Sequence, residues 1–385
     1  MLLYLHVPFC RRKCRYCAFY SEPCAPGDDA RLTAWADALL GEMRREARAL
    51  GRPAVSTVFF GGGTPSLLSP ALTGRILDEA AALFSLEDGA EISMEANPES
   101  MTEEKARGFR AAGVNRVSLG VQALDDGFLA ALGRAHDKKA ALAAFSALRR
   151  AGFANVGFDL MWGLPGQSAA NWKAQLAEAC ALSPEHLSCY GLMLEEGTPL
   201  YRERESLPLP SEEEAAAMYE EGGALLEAAG YRQYEISNYA KEGFACRHNQ
   251  GYWQGKDYLG LGPSAVSCIR NERRSNAADT EAWRLAVLRG ERAAAVERLG
   301  FTERAEELVM LGLRTAEGLD LAAYRALTGR DFMKDNEGLV AELLRLGMAG
   351  REGGRFFLTR RGMLVSSSVM EQCFEHIPAK PEGAA

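Results

Sequence analysis

Short apolar runs alternate with longer stretches of helical periodicity over the first two thirds of this chain of 385 residues. The apolar runs predict six β-strands, at 2–7, 55–60, 91–95, 116–120, 156–160 and 186–190. Apolar residues recur at helical spacing between them, for example over 30–50, 103–112 and 140–151. This alternation favours an α/β fold, with a parallel sheet covered by helices. Six such units predict an incomplete TIM-like (β/α)6 barrel with its active site at the carboxyl ends of the strands.

The pattern changes near residues 290–300. Helices and two short extended stretches are predicted beyond this point, at 303–313, 319–327, 336–346, around Gly353-Gly354 and from Arg360. Three helices and a β-ribbon predict a smaller, winged-helix-like domain. Its candidate recognition helix has a single basic residue, Arg345, which favours a cover for the barrel mouth or a docking surface over DNA binding. The predicted parts are a barrel over 1–235, a connecting segment over 236–295, the winged-helix-like domain over 296–377 and a disordered tail over 378–385.

Charge and cysteine content narrow the class of protein. A formal net charge of −8 disfavours general binding to nucleic acid. The nine cysteines are odd in number and three of them cluster, which favours reduced thiols over a disulfide framework. The sequence contains no run of about 18 apolar residues, so no membrane span is predicted. Arg11, Arg12 and Lys13 come too early for the apolar core of a signal peptide, so we expect a cytoplasmic protein.

Cys10, Cys14 and Cys17 form a C-x3-C-x2-C run just after the first predicted strand. Three thiolates are one too few for a closed zinc site or a fully ligated iron–sulfur cube, so a [4Fe–4S] cluster bound here would keep one iron open. Half of a zinc site is an alternative, although Cys24 and His6 fit poorly as a fourth ligand. Three ordinary thiols on one loop are the other alternative.

The residues around these cysteines resemble the radical S-adenosylmethionine (SAM) signature of the oxygen-independent coproporphyrinogen III oxidase family. The resemblance continues at intervals to Pro165, in the runs YLHVPFC at 4–10, YCAF at 16–19, GGGTP at 61–65, EANP at 95–98, SLGVQ at 118–122, GR at 133–134 and DLMWGLP at 159–165. Ordered motifs over such a length are more specific than one cysteine triplet. The resemblance implies the same partial barrel and a [4Fe–4S] cluster held by Cys10, Cys14 and Cys17.

The resemblance also implies a set of SAM contacts, namely Tyr4, Tyr16, Gly62, Gly63, Thr64, Glu95, Gln122, Arg134 and Asp159. The amino and carboxylate groups of SAM can chelate the open iron, and one electron from the reduced cluster then breaks a carbon–sulfur bond. Taken alone, Glu95 and Asp159 are also typical of strand-end acids that cap a helix or pair with arginine. Asn97 and Pro98 are interpreted as a turn, and His186 as a hydrogen-bonded core residue.

Two departures disfavour decarboxylation of coproporphyrinogen III. In our reading of the family pattern, decarboxylating members carry a fourth cysteine two residues after the third, where this chain has Phe19. They also have an extension ahead of the signature strand, whereas the strand predicted here begins at Leu2.

The run CRHNQGYW at 246–253 resembles the H-N-x-x-Y-W motif of HemW-type heme chaperones. Imidazole is a standard axial ligand of heme iron, and Tyr252 and Trp253 offer flat faces for a porphyrin. His248 is therefore a candidate ligand, with the Cys246 thiolate as an alternative. From the residues alone, the segment favours a histidine that hydrogen-bonds a loop and aromatic rings that fill core, because an aromatic pair in a loop is more often packing than a cofactor contact.

The resemblance implies a heme chaperone that binds the cluster, SAM and heme and delivers heme to acceptor proteins. Its expected partners are a respiratory or membrane-associated heme acceptor, an electron donor such as flavodoxin or ferredoxin, and a second copy of the chain. Nucleic acid is not expected. The alternative is a radical SAM enzyme, either an oxygen-independent coproporphyrinogen III dehydrogenase or a related methyl-transferring enzyme. No catalytic residue is assigned.

Overall fold

The computed structural model describes residues 1–25, 27–292 and 294–377, so the tail predicted over 378–385 lies outside the described residues. The first half alternates strands and helices as predicted. In chain order it contains β1 (Leu2–Val7), β2 (Phe9–Cys10), β3 (Glu22–Pro23), α1 (Asp29–Leu50), β4 (Ala54–Gly62), α2 (Pro70–Leu83), β5 (Ser85–Ala96), α3 (Glu103–Ala111), β6 (Arg116–Gln122), α4 (Asp126–Ala131), α5 (Lys138–Arg150), β7 (Val156–Trp162), α6 (Ala169–Leu182) and β8 (His186–Gly191).

The second half adds shorter elements. They are α7 (Pro199–Arg202), α8 (Glu212–Ala228), β9 (Arg232–Gln233), β10 (Asn238–Ala240), α9 (Arg247–Trp253), β11 (Tyr258–Leu261), β12 (Val266–Ile269), β13 (Glu272–Ser275), α10 (Thr280–Leu288), β14 (Ala295–Arg298), α11 (Phe301–Leu313), β15 (Leu319–Asp320), α12 (Leu321–Thr328), α13 (Phe332–Asp335), α14 (Glu337–Arg345), β16 (Ala349–Glu352), β17 (Arg355–Leu358), α15 (Arg360–Leu364) and α16 (Ser366–Glu375).

One sheet of twelve strands forms the partial barrel, in the order β14-β13-β12-β11-β1-β4-β5-β6-β7-β8-β10-β9. All six predicted strands are present, and they pair in parallel from β1 to β8. A seventh parallel strand, β11, lies on the other side of β1. It escaped prediction because its run of four residues is short and lies among glycines, which are depleted in strands.

The segment over 236–295, predicted as a connection, extends this sheet at both ends. Its strand β10 pairs antiparallel with β8, and β12 pairs antiparallel with β11. The predicted division of the chain into four parts stays a prediction.

Two apolar clusters fill most of the interior. The larger one joins the barrel strands to the helices around them, with Trp35 of α1 and Trp172 of α6 almost fully buried. The smaller one lies among α11 to α16 and the three-stranded sheet β15-β17-β16, and it includes Tyr219 of α8. The helices and β-ribbon predicted for the winged-helix-like domain are all present. Among the described helices, none combines the length and apolar character that crossing a bilayer requires.

Candidate functional site

The cysteine loop lies beyond the carboxyl end of β1. Cys10 ends β2, and all three cysteines are half-buried. The loop is tied to other parts of the barrel through Arg15, whose N–H donates to Leu132 O (3.0 Å) and whose carbonyl accepts from Leu200 N (3.0 Å). Burial raises the pKa of the Cys10 and Cys17 thiols. In the ranges that the structure describes, no group of three or more His, Cys, Asp or Glu side chains is gathered closely enough to hold a metal ion as it stands.

Two side chains donate hydrogen bonds to the cysteine sulfurs. Thr64 Oγ1 donates to Cys10 Sγ (3.4 Å), and Arg134 Nη1 donates to Cys14 Sγ (3.3 Å). Asn97 links these two donors, because its Nδ2 donates to Thr64 Oγ1 (2.9 Å) and its Oδ1 accepts from Arg134 Nη2 (2.6 Å). The loop from β1, the glycine loop after β4, the end of β5 and the segment after α4 thus form one network.

Asn97 is a site residue that the sequence interpretation missed. It does precede a turn, since a 3₁₀ helix follows over Pro98–Ser100. Its side chain nevertheless joins the donors of two cysteine sulfurs. The position of Asn97, two residues after Glu95 at the end of a strand, could have indicated a site residue. The Asn-Pro pair is interpreted as a turn instead, because such pairs are common in turns.

The glycine loop, Gly61 to Gly63 at the end of β4, packs against β1 and β2. A Cβ atom on Gly61 would lie 2.8 Å from the Tyr4 ring, and one on Gly62 would lie 2.7 Å from the His6 ring. Gly63 donates its N–H to Val7 O (2.8 Å), and a Cβ atom there would lie 2.7 Å from Phe9 O. These three positions approach the strand that leads into the cysteine loop so closely that they require glycine.

Two carboxyl groups face the barrel interior near this loop. Glu95 Oε2 accepts a hydrogen bond from Gly62 N (3.1 Å), and Asp159 Oδ1 accepts one from Ser118 Oγ (3.0 Å). Burial, and then the charge of Asp159, raise the pKa of Glu95 to about 8. Burial also raises the pKa of Asp159. Glu95 is therefore mostly a neutral acid at pH 7 in this structure, a form that can donate as well as accept.

The remaining predicted SAM residues lie around the same end of the barrel. Gln122 ends β6 with φ 65°, a left-handed conformation that non-glycine residues adopt mainly where surrounding structure enforces it. Tyr4 hydrogen-bonds His6 Nδ1 (3.1 Å). Tyr16 packs against a small apolar cluster that includes Leu132 and Met161, and burial raises the pKa of its hydroxyl.

The predicted heme residues lie towards the amino ends of the barrel strands, with the centroid of the His248 ring 6.4 Å from that of Tyr4. Helix α9 crosses the start of β1, where a Cβ atom on Gly251 would lie 2.6 Å from the Leu2 side chain. His248 is 1% exposed, its Nδ1 hydrogen-bonds Thr57 Oγ1 (2.7 Å), and its ring stacks on Phe59 with a centroid distance of 4.8 Å. Burial, and then the charge of Arg116, lower the pKa of His248 to about 3, so the ring is neutral.

This placement corresponds to the packing alternative for the CRHNQGYW run. Glu91 of β5 holds the start of α9 by accepting from Arg247 N (2.8 Å), His248 N (3.2 Å) and Cys246 Sγ (3.4 Å). Tyr252 meets the His248 ring edge-on at 4.9 Å. Both Tyr252 and Trp253 are half-buried, whereas the His248 and Cys246 side chains are closed off from solvent.

Similarity to known proteins covers nearly the whole chain. Residues 4–176 match the family model of the Radical SAM superfamily, and residues 302–365 match that of the HemN C-terminal domain. The chain is 34% identical over 372 residues to heme chaperone HemW of Bacillus subtilis, covering 95% of this chain and 97% of that protein. The chain belongs to the HemW family of radical SAM proteins. The resemblance predicted from the motifs is thereby confirmed.

Two further known proteins are similar to this HemW family member. The mouse protein "Radical S-adenosyl methionine domain-containing protein 1, mitochondrial" is 35% identical over 400 residues, covering 98% of this chain and 90% of that protein. The solved structure of the Escherichia coli radical SAM enzyme coproporphyrinogen III oxidase, HemN, covers 97% of this chain and 89% of its own, with a TM-score of 0.82 and 24% identity. This structural likeness shows the fold, and it confirms the predicted α/β partial barrel.

The residues of this HemW family member fit the cofactors that radical SAM membership implies. Three thiols share one loop, and two donors point at their sulfurs, which is the environment that thiolate ligands of a cluster require. Within the described residues, Arg134 Nε is buried and lacks a hydrogen-bond partner, so the segment after α4 offers an unused donor beside the cysteine loop. The assignment of individual residues to the cluster and to SAM stays a prediction.

Proposed function

We propose that this protein is a cytoplasmic heme chaperone that binds a [4Fe–4S] cluster, SAM and heme and delivers heme to acceptor proteins. Full-length similarity to heme chaperone HemW of Bacillus subtilis carries the proposal. The exposed Phe19, at the position where decarboxylating relatives carry a cysteine in our reading, supports it further; its side chain is 72% exposed.

Cys10, Cys14 and Cys17 would hold the cluster, whose open iron binds SAM and whose reduced form supplies one electron. Thr64 and Arg134 keep their donors on two of the sulfurs. Such hydrogen bonds favour the thiolate and orient it.

The SAM contacts would be the nine residues predicted from the motifs, which are Tyr4, Tyr16, Gly62, Gly63, Thr64, Glu95, Gln122, Arg134 and Asp159. Glu95 of β5 and Asp159 of β7 each accept a hydrogen bond, of 3.1 Å from Gly62 N and of 3.0 Å from Ser118 Oγ. A neutral Glu95 can donate to a hydroxyl or carboxylate oxygen, and an ionised Asp159 can accept from an amine or hydroxyl.

For heme, the predicted residues His248, Tyr252 and Trp253 are retained as contacts of the cargo. Axial ligation by His248 would require α9 to move away from Thr57 and Phe59, because the ring is 1% exposed. The proposed partners are a respiratory or membrane-associated heme acceptor, an electron donor such as flavodoxin or ferredoxin, and a second copy of the chain.

The test is anaerobic reconstitution with iron and sulfide, followed by two parallel assays. Heme titration should give a saturable Soret band, and incubation with coproporphyrinogen III, SAM and a reductant should leave the substrate unchanged. Efficient conversion to protoporphyrinogen would show the oxidase activity instead and would overturn the chaperone proposal.

The cluster assignment has its own test. Cys14→Ser should abolish the brown absorbance of the reconstituted protein. Cys180→Ser changes a half-buried thiol on α6 and should leave that absorbance intact. Equal absorbance in both variants would contradict the ligand assignment.

A further inference from the structure

A buried arginine with unused donors lies in the barrel interior, away from the cysteine loop. Arg116 begins β6 and is 2% exposed. In the described part of the chain, its guanidinium makes one hydrogen bond, a long one from Nη1 to Ser93 Oγ (3.5 Å), and its Nε has no partner. Leaving a buried charged donor without an acceptor is costly, so this position favours a ligand that accepts hydrogen bonds.

Two neutral imidazoles near Arg116 also carry an unused nitrogen. His186 of β8 is 1% exposed, its Nε2 hydrogen-bonds Tyr234 Oη (2.8 Å), and its Nδ1 lacks a partner among the described residues. His248 uses Nδ1 for Thr57, and its Nε2 is likewise without a described partner. Burial and the charge of Arg116 lower the pKa of both rings. A neutral imidazole carries one N–H. Because Tyr234 and Thr57 each hydrogen-bond one nitrogen of these rings, the other nitrogen of each ring can carry the N–H and donate it.

The carboxylates close to Arg116 are already engaged. Glu91 accepts from the backbone N–H groups of Arg247 and His248 and from Ser93 Oγ (3.1 Å). Asp159, the other acidic side chain near the guanidinium, accepts from Ser118. The thiol of Cys246 and the hydroxyl of Tyr234 also lie near Arg116, and burial raises the pKa of both, so they are neutral.

We propose that Arg116, His186 and His248 bind a carboxylate inside the barrel. The inference rests on the proposed function for the identity of that group, which is a propionate side chain of the tetrapyrrole cargo. The edge of a guanidinium that carries Nε and one Nη matches the two oxygens of a carboxylate. His248, which α9 presents to Thr57 and Phe59, then contacts the cargo through its propionate and not through the iron.

The position of Arg116 along β6 suits such a ligand. Arg116 is four residues before Gly120, which lies next to Asn97 and Arg134 beside the cysteine loop, so about 13 Å of strand separate the two levels. Interior side chains at intermediate depth stay partly accessible, including Asp159, Glu95 and the 41% exposed Tyr190.

The test compares heme with heme dimethyl ester, whose propionates are blocked. Wild type should bind heme about tenfold or more tightly than the ester, because a charge-assisted hydrogen bond is lost in the ester. Arg116→Gln should bind both equally. Arg110→Gln changes an exposed arginine on α3 and should keep the wild-type preference. Equal affinity of wild type for both porphyrins, or an unchanged preference in Arg116→Gln, would overturn the inference.

A second variant and a second probe keep the inference testable if Arg116→Gln does not fold. Arg116→Lys keeps the positive charge near Glu91 but lacks the two-pronged edge. Sodium propionate should raise the melting temperature of wild type and raise that of Arg116→Lys by less; equal shifts would refute the carboxylate site. If wild type binds neither porphyrin, the proposed function fails, and the propionate experiment alone decides whether the carboxylate site stands.

Discussion

Gly62→Ala probes how tightly the glycine loop is packed on the strand that leads to the cysteines. Gly62 has φ 112°, which an alanine adopts only with strain of about 1–3 kcal/mol. The added Cβ would also lie 2.7 Å from the His6 ring, closer than real Cβ contacts come. That ring is fixed at both nitrogens, by Tyr4 Oη (3.1 Å) and Tyr20 O (3.1 Å), so moving it costs two hydrogen bonds, or roughly 1–3 kcal/mol. The summed loss of unfolding free energy is about 2–6 kcal/mol.

Gly113→Ala is the matched control. Gly113 has nearly the same φ, 110°, but the nearest atoms to a Cβ there lie at 3.9 Å, an ordinary contact. The control should therefore show the backbone strain without the collision. In urea unfolding of the protein without cofactors, Gly62→Ala should be less stable than Gly113→Ala by about 1–3 kcal/mol.

A double-mutant cycle isolates the collision itself. In a His6→Ala background the ring is absent, so the cost of Gly62→Ala should fall to that of Gly113→Ala. The reasoning is refuted if Gly62→Ala is as stable as Gly113→Ala, or if its cost is unchanged when His6 is removed.

Three further perturbations test other parts of the site. Trp35→Ala empties a 1% exposed position that packs edge-on against Phe9 at 6.2 Å, and it should lower the unfolding free energy by about 3–5 kcal/mol in chemical denaturation. Burial raises the pKa of Glu95 from 4.5 to about 8, so its stabilising contribution is complete below pH 4.5 and is lost as the pH rises through about 8. Between pH 4.5 and about pH 8, the urea midpoint of Glu95→Gln should thus fall less than that of wild type. If the two midpoints change in parallel with pH, the raised pKa of Glu95 is contradicted. Thr64→Val removes the donor to Cys10 Sγ and should lower the reduction potential of the reconstituted cluster in a spectroelectrochemical titration; an unchanged potential would show that this bond is not made to the bound thiolate.

Sequence patterns alone predicted the six parallel barrel strands and the order of the motifs along them. Buried parallel strands appear in the sequence as continuous apolar runs. Their length and spacing can therefore be predicted without knowing which strands pair. Because parallel strands align their carboxyl ends, the order of Cys10, Gly62, Glu95 and Asp159 along the chain already predicted that they meet at one end of the barrel.

Contacts between side chains that are far apart in the chain could not be predicted from the sequence and are visible only in the folded protein. Asn97 is interpreted locally as a turn, and its role is visible only when Thr64 and Arg134 are brought to either side of it. The H-N-x-x-Y-W motif shows the same limit, since no local pattern reveals that Glu91 holds Cys246 from 155 residues away or that His248 is buried against Thr57. A motif specifies residue types and spacing along the chain, whereas accessibility depends on what packs over it, and that is a property of the whole fold.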